Sequence, residues 1–384
     1  MVALLEKALL LNYSLFLVSS YYSKILTKVY LLNGLVLWFL FNIIKNKKRF
    51  YRYLIPANPL KKYLFIFLIV AVFSTLLSLS PYHSQKIFLN RYLLYFLSIW
   101  LGYSITQRKK NLFILVGAFI LGGITVGLGG ILDYLRFKPD LLSTSFGRNV
   151  DLAFYSVMAI PLNFMVLFFI KNKLLKAGAL FALILVLPCF LWNASRTAWI
   201  VGIFSTLVII FLKEKRLALI LIIILVISAF LLPQDRKKRV VSIIRTGVLA
   251  DRPAMWDSAI KIFKDYPVLG AGPGMYEKLF DKYYIAPEAY KGYTYLHCHS
   301  TYLELMAEMG IIGLLSFLGI FAVFFKYVFK SVISSSGDRQ VIISGLTGTI
   351  IAVLILCAMA TVIIVGINTA ALFWFLFGMA ISFL

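Results

Sequence analysis

Acidic residues are scarce in this chain. Its 384 residues include 15 Asp and Glu against 39 Lys and Arg, and only 3 His. Charged residues make up 14% of the chain and hydrophobic residues 61%, a balance that no soluble globular domain needs in order to fill its core. The composition therefore argues against a water-soluble fold, and lipid is the expected solvent for most of the surface.

Cysteine is equally rare, and several common site motifs are missing. Cys189 and Cys357 lie in apolar runs, while Cys298 lies between two histidines. This placement gives no disulfide framework. No H-E-x-x-H metal motif is present, and the glycine-rich run PVLGAGPGMY lacks the Lys and Ser/Thr of a nucleotide-binding P-loop. Neither a zinc protease nor a P-loop nucleotide site is predicted.

The formal charge of +24 raises the question of a nucleic-acid partner. The basic residues occur in short clusters between apolar runs, however, rather than along one polar face. Membrane topology explains this pattern better. We therefore expect membrane lipids as partners and no nucleic acid.

The order of apolar runs predicts an all-α polytopic membrane protein with about twelve transmembrane helices, because roughly 20 apolar residues cross the hydrocarbon layer. Nine helices are expected in residues 1–232, a large loop with short amphipathic helices in 233–301, and three helices in 302–384. The predicted spans are 6–22, 29–44, 63–80, 90–105, 111–132, 153–170, 174–193, 197–212, 216–232, 302–328, 340–364 and 367–384.

The distribution of Lys and Arg over the short connections sets the expected orientation. With the amino terminus in the cytoplasm, the basic clusters near residues 45–62, 108–110, 171–176, 213–216 and 326–339 lie inside. This satisfies the positive-inside rule, and long translocated loops are exempt from it. The large loop is then expected on the outer face of the membrane.

The large loop contains a segment with helix signals of its own. In DRPAMWDSAIKIFKDYP, residues 251–267, Asp251 is a candidate N-cap, Pro253 lies in the first turn and Pro267 follows the end. Arg252 would lie in the first turn, where the helix dipole already favours an anion. A cation there is a poor stabiliser, and its presence indicates an anion site. The alternative is an interfacial arginine that binds a lipid phosphate.

The glycines at positions 270, 272 and 274 permit positive φ and close backbone approach. A structural turn after the loop helix is the expected role, in preference to direct contact with a ligand.

His299 is expected at the start of a long helix that projects beyond the hydrocarbon layer on the outer side. His297, Glu304 and Glu308 are close in sequence, so a metal site is the first alternative. At 100° per residue Glu304 would be about 140° around the helix from His299, which argues against that site. Interfacial hydrogen bonding without chemistry is a further alternative, as is a nucleophilic role for Cys298.

Arg196, in NASRTAW, falls between two spans with almost no connecting loop. An ionisable group at this depth is a functional candidate by default. Arg148 and Asn149, in the preceding outer loop, give a weaker signal of the same kind.

Three of these segments resemble signatures of the O-antigen ligase and polymerase superfamily. They are SRTAW at 195–199, RPAMW followed by PVLGAGPG at 252–274, and HSTYLELMAEMGIIG at 299–313. The chain departs from the common pattern at Thr197, where many relatives have Gly, and at Ser300, where Asn is common.

The resemblance implies an inverting, metal-independent glycosyl transfer of the glycosyltransferase C type, with no cofactor. The donor would be a glycan linked to undecaprenyl diphosphate, and the acceptor a hydroxyl of the lipid A–core. Transfer would take place at the periplasmic face of the bacterial inner membrane. Arg196 and Arg252 would bind the diphosphate and His299 would be the general base. Candidate substrate contacts are Arg148, Asn149, His297 and Tyr302.

Three functions stay open at the level of the sequence. A ligase that transfers a finished glycan is the first, and a polymerase that lengthens the carrier-bound chain is the second. The third is a non-enzymatic transporter of lipid-linked glycan, but the candidate residues gather on one face and charges within the spans are rare, which argues against alternating access.

Overall fold

The structure is a computed structural model that describes residues 1–46, 58–137, 149–193, 195–231, 252–283 and 297–384. Regular structure in these ranges is helical, with no strand. The helices are α1 (Val2–Ser19), α2 (Lys24–Asn46), α3 (Lys61–Leu76), α4 (Pro81–Ile87), α5 (Leu93–Ile105), α6 (Lys109–Phe137), α7 (Asn149–Phe169), α8 (Lys173–Trp192), α9 (Arg196–Lys213), α10 (Lys215–Leu231), α11 (Arg252–Asp265), α12 (Met275–Tyr283), α13 (Thr301–Ser334), α14 (Gly337–Leu356) and α15 (Ile367–Ile381); a π-helical turn, Phe88–Tyr92, joins α4 to α5.

Seven helices in the described part of the chain are long and apolar enough to cross a membrane, namely α1, α2, α6, α7, α8, α13 and α14. Helices α9 and α15 are apolar but shorter. The prediction of an all-helical polytopic membrane protein is confirmed. A helix lies in each of the twelve predicted apolar runs, but the number of spans stays a prediction.

The core of the bundle is formed by α7, α14 and α15. Every residue from Thr369 to Ile381 in α15 is buried, and so are the α7 residues from 152 to 163. Helices on the outside show the reverse pattern: Ile223 and Ile227 of α10 are more than half exposed. Apolar side chains that face outward in such numbers match a surface in contact with lipid tails.

Connections predicted to share the cytoplasmic side contact each other. The Asp338 carboxylate accepts the Lys171 backbone N–H at 2.7 Å, and Arg108 forms an ion pair with Glu6. The connections at the opposite ends of the helices include the α8–α9 turn and residues 297–300. This second end is called the site end below. The assignment of either end to a cellular compartment stays a prediction.

Two predicted spans differ from the structure in form. The run 340–364 is helical only to Leu356, and residues 357–366 form turns and irregular backbone. The helix stops because carbonyls of this segment bind the start of α13: Thr301 donates its N–H to the Cys357 carbonyl at 2.8 Å and its hydroxyl to the Ala360 carbonyl at 2.9 Å. The run that begins at 302 is a longer helix, α13, with a break at Gly310.

Candidate active site

The start of α9 lies in a tight turn at the site end. Ser195 caps the helix by accepting the Ala198 N–H at 3.4 Å, and Arg196 is the first helical residue. The Trp199 indole N–H donates to the Phe190 carbonyl of α8 at 2.7 Å, which fixes the turn. The predicted turn between two helices is confirmed. A helix start also carries the positive end of the helix dipole.

Arg252 is the first residue of α11, and this helix matches the predicted amphipathic segment. Met255, Ala259 and Ile262 are buried on one face. The half-buried Arg252 side chain reaches the first turn of α9, where Nη1 donates to Thr197 Oγ1 at 3.3 Å. The first turns of two helices, one starting at Arg196 and the other at Arg252, are thereby brought together.

The glycine loop, residues 267–274, follows α11 and docks on the break in α13. Gly270, Gly272 and Gly274 have φ of 70°, 111° and 76°. Helix α13 loses its regular backbone at Gly310, which has φ 66° and ψ −170°. The backbone groups freed by that break need other partners, since a buried unpaired N–H or C=O is costly.

Those partners come from the glycine loop. Ala271 N–H donates to the Ala307 carbonyl at 3.0 Å, Gly272 N–H to the Glu308 carbonyl at 2.9 Å, and Ile311 N–H to the Pro267 carbonyl at 2.9 Å. These backbone hydrogen bonds lock α11 onto α13, and the Ser84 hydroxyl holds the same loop by donating to the Pro273 carbonyl at 2.8 Å.

A second apolar cluster lies beneath α11 and α12, and we call it the loop core. It joins α11, the glycine loop and α12 to Cys298 and to the first turns of α13. Its buried members are Met255, Ala259, Ile262, Ala271, Met275, Tyr276, Leu279, Phe280, Cys298 and Ala307. The loop core therefore connects the helix that carries Arg252 with the segment that carries His299.

His299 is exposed and has a positive φ of 53°, and it precedes α13 rather than lying on it. Ser300 is the N-cap, with its hydroxyl accepting the Leu303 N–H at 3.4 Å. The expectation that His299 belongs to the helix is wrong, and the helical-angle argument against a metal therefore loses its basis.

His297 Nδ1 lies 3.7 Å from Glu304 Oε1. In the part of the chain that the structure describes, no three His, Cys, Asp or Glu side chains are grouped to hold a metal ion.

Cys298 lies inside the loop core and is fully buried. Its thiol donates to the Ser300 carbonyl at 3.1 Å. Burial, followed by the nearby Glu304 carboxylate, raises the pKa of the Cys298 thiol well above its usual value. A thiol that is buried and protonated is a poor nucleophile, which weighs against the nucleophilic role.

The structure describes only some of the remaining candidate residues. Asn149 is the first residue of α7, whereas Arg148 lies outside the described residues. The Tyr302 hydroxyl donates to the Leu354 carbonyl of α14 at 2.7 Å, so it holds two helices together.

Sequence reasoning did not single out a polar pocket beside the His299 segment. Its charged and titratable lining residues are His83, Arg91, Glu277, His297, Glu304 and Glu308. Arg91 belongs to the π-helical turn, a form of helix that recurs at functional sites. Burial, and next the Lys278 cation, lowers the pKa of His83, whose Nε2 lies 3.2 Å from the Gly274 carbonyl. A neutral His83 can thus donate to the glycine loop.

The fold and the site define a polytopic, all-helical membrane protein with arginine-bearing helix starts and an exposed histidine at one end of the bundle. Residues 180–318 match the family described as O-antigen ligase, and this match supports assignment of the chain to the O-antigen ligase and polymerase superfamily. Members of this family are glycosyltransferase-like enzymes of O-antigen and lipopolysaccharide processing. The match includes Arg196, Arg252 and His299. No curated protein matches the chain.

Proposed function

We propose that the protein is an O-antigen ligase. It transfers a glycan from undecaprenyl diphosphate to a hydroxyl of the lipid A–core, with inversion at the anomeric carbon and without a metal or other cofactor. The reaction takes place at the periplasmic face of the bacterial inner membrane. The glycan donor, the lipid A–core acceptor and the surrounding lipids are its partners.

The meeting of two helix starts is the observation that carries this proposal. The Arg252 guanidinium binds Thr197, the second residue of α9, so the first turns of α9 and α11 are within reach of one side chain. Each turn carries the positive end of a helix dipole. Each also begins with an arginine, which is a permanently charged, bidentate donor. This combination suits a diphosphate, which carries more than one negative charge and several acceptor oxygens.

The chemistry follows from the charge that develops during transfer. The acceptor oxygen attacks the anomeric carbon while the bond from that carbon to the diphosphate oxygen breaks. The diphosphate leaves with the electron pair, and Arg196 and Arg252 stabilise its charge. His299 takes the proton of the attacking hydroxyl, as a neutral imidazole can at ordinary pH. Attack opposite the leaving group inverts the configuration.

The placement of His299 supports its role. The side chain is exposed, while its neighbour Cys298 is packed in the loop core together with α11. An exposed imidazole on an anchored backbone is accessible to an acceptor and also held in position. His297 faces Glu304 instead, so His299 is the better candidate for the base.

The test is a transfer assay with the purified protein in proteoliposomes. Undecaprenyl-diphosphate glycan and lipid A–core are supplied together, and mass spectrometry follows the acceptor. A mass increase of lipid A–core equal to the glycan is expected in the presence of EDTA as well as without it. Nuclear magnetic resonance of the product would report the inverted anomeric configuration. His299→Ala and Arg252→Ala are the matched inactive variants.

Two outcomes would contradict ligase activity. A longer carrier-bound glycan with unmodified lipid A–core would identify a polymerase, which could use the same arginine and histidine chemistry. Movement of the lipid-linked glycan across the bilayer without any covalent change would identify a transporter. Loss of transfer in EDTA that Mg²⁺ or Mn²⁺ restores would overturn the metal-independent mechanism.

A further inference from the structure

Two glutamates occupy one face of α13 at positions where carboxylates are unfavourable. Glu304 and Glu308 are one turn apart and only 2% and 4% exposed. Like charges at this spacing repel each other on a helix, and burying a carboxylate is costly unless it is paired and hydrogen-bonded. Apolar residues would stabilise the helix better, so the two carboxylates need another explanation.

Each glutamate holds a different segment of the proposed site. Glu304 Oε2 accepts the Cys298 N–H at 3.1 Å, and its Oε1 lies 3.7 Å from His297 Nδ1. Its two oxygens thereby face two successive residues of the His299 segment, residues 297–300. The 3.7 Å between Glu304 Oε1 and His297 Nδ1 is longer than a hydrogen bond, so this contact is electrostatic.

Glu308 binds the glycine loop and the start of α12. Its Oε1 accepts the Tyr276 N–H at 3.2 Å at the start of α12, and its backbone carbonyl accepts from Gly272 and from the Ser74 hydroxyl of α3. The glycine loop that follows the Arg252 helix is therefore fixed to α13 at Glu308. Tyr276 in turn donates its hydroxyl to the Met255 carbonyl of α11 at 3.1 Å.

The surroundings supply partial compensation of charge. Arg91 from the π-helical turn lines the same pocket as both glutamates, together with His83, His297 and the carboxylate Glu277. One guanidinium among three carboxyl groups does not pair with all of them. These buried polar groups therefore fix the positions of the segments that they bind, and they add little to the stability of the fold.

We propose that Glu304 and Glu308 are positioning residues, Glu304 for the His299 segment and Glu308 for the glycine loop of the Arg252 helix. One face of α13 then sets the spacing between general base and diphosphate site. The inference rests on the proposed function for its catalytic meaning, but the two anchoring roles can be tested without any transfer assay.

Cys298 is a native reporter for the His299 segment, because it is buried there and its N–H is the group that Glu304 holds. The full chain in detergent micelles is treated with N-ethylmaleimide, and peptide mass spectrometry measures labelling of each cysteine. In Glu304→Ala, Cys298 is expected to be labelled on the order of tenfold faster than in the wild type. The reason is that the segment opens more often once the hydrogen bond to the carboxylate is lost.

Glu304→Gln separates anchoring from charge. Its amide oxygen still accepts the Cys298 N–H, although the negative charge that raises the thiol pKa is gone. Labelling of this variant therefore measures the effect of the lost charge alone, and Glu304→Ala is expected to label Cys298 faster than Glu304→Gln does. Cys189 and Cys357, both buried, report global unfolding. Equal labelling of all three cysteines in Glu304→Ala, or no acceleration at Cys298, would overturn the anchoring role.

Glu308→Ala tests the second anchor. Hydrogen exchange measured by mass spectrometry is expected to accelerate in peptides that cover residues 270–277, while Cys298 labelling stays slow. In the transfer assay Glu304→Ala is expected to lower kcat, Glu308→Ala to raise KM for the donor, and each Gln variant to restore most of the loss. Parallel losses in both parameters for both variants would contradict separate roles. If the wild type transfers no glycan, the proposed function fails, and the labelling and exchange results still decide the anchoring.

Discussion

Gly270 and Gly310 lie at a contact where two backbones meet with no space for a side chain. A Cβ on Gly270 would overlap the Glu308 carbonyl, and a Cβ on Gly310 would overlap the Val268 carbonyl. Both residues also have positive φ, at 70° and 66°. The glycine loop and the break in α13 are therefore complementary, and each depends on the other being glycine at this point.

Gly310→Ala is accordingly expected to destabilise the protein strongly. The backbone conformation of Gly310, φ 66° and ψ −170°, is nearly restricted to glycine and costs about 1–3 kcal/mol for a residue with a Cβ, and the forced overlap adds about 1–3 kcal/mol. Thermal unfolding in detergent measures the effect. Gly337→Ala is the matched control, because Gly337 has φ 59° but no atom within 4 Å of the added Cβ. Equal losses in the two variants would show that the contact with the glycine loop contributes nothing.

Thr197 is expected to position Arg252. Thr197→Val removes the hydroxyl that accepts from Nη1 at 3.3 Å while it keeps the size and branching of the side chain. A net hydrogen bond of about 0.5–1.5 kcal/mol predicts a two- to tenfold rise in KM for the lipid-diphosphate donor. Thr197→Ser retains the hydroxyl and is expected to behave like the wild type. If Val and Ser variants have the same KM, the hydrogen bond has no role in binding.

The helices were largely predictable, because long apolar runs are a strong and local signal. Helix α11 was also predicted, since its apolar spacing and its prolines lie within one short segment. The break at Gly310 was not. MAEMGIIG reads as a continuous apolar helix, and the donors and acceptors that replace its lost backbone bonds come from residues 267–272, far away in sequence.

The site was predictable in its residue types and less so in its geometry. Arg196 and Arg252 were assigned from position and charge, but the approach of the two helix starts depends on the contact of Arg252 with Thr197. His299 was expected on the helix, because nothing local marks its left-handed backbone. That conformation is set by the Ser300 cap and by the anchoring of Cys298 on Glu304. Long-range contacts of this kind have no signature in a single sequence.

Arg252→Lys tests whether the site needs a guanidinium or only a positive charge. Lysine keeps the charge but cannot bind a diphosphate bidentately. Arg252→Ala is expected to lower kcat/KM by about 10²–10³, comparable to loss of a group that stabilises developing charge. Arg252→Lys should recover only part of this activity. Full activity in the lysine variant would show that Arg252 contributes only its positive charge and not bidentate hydrogen bonds.

His299→Asn separates the chemistry of the imidazole from the conformation of its backbone. Asparagine tolerates the left-handed region better than most residues, so φ near 53° is preserved and the His299 segment stays folded. Because the amide cannot accept a proton at ordinary pH, transfer is expected to fall by about 10²–10⁴. Cys298 labelling should stay at the wild-type rate and show that the segment is intact. An Asn variant that transfers glycan at full rate would assign His299 a structural role and leave the general base to another group.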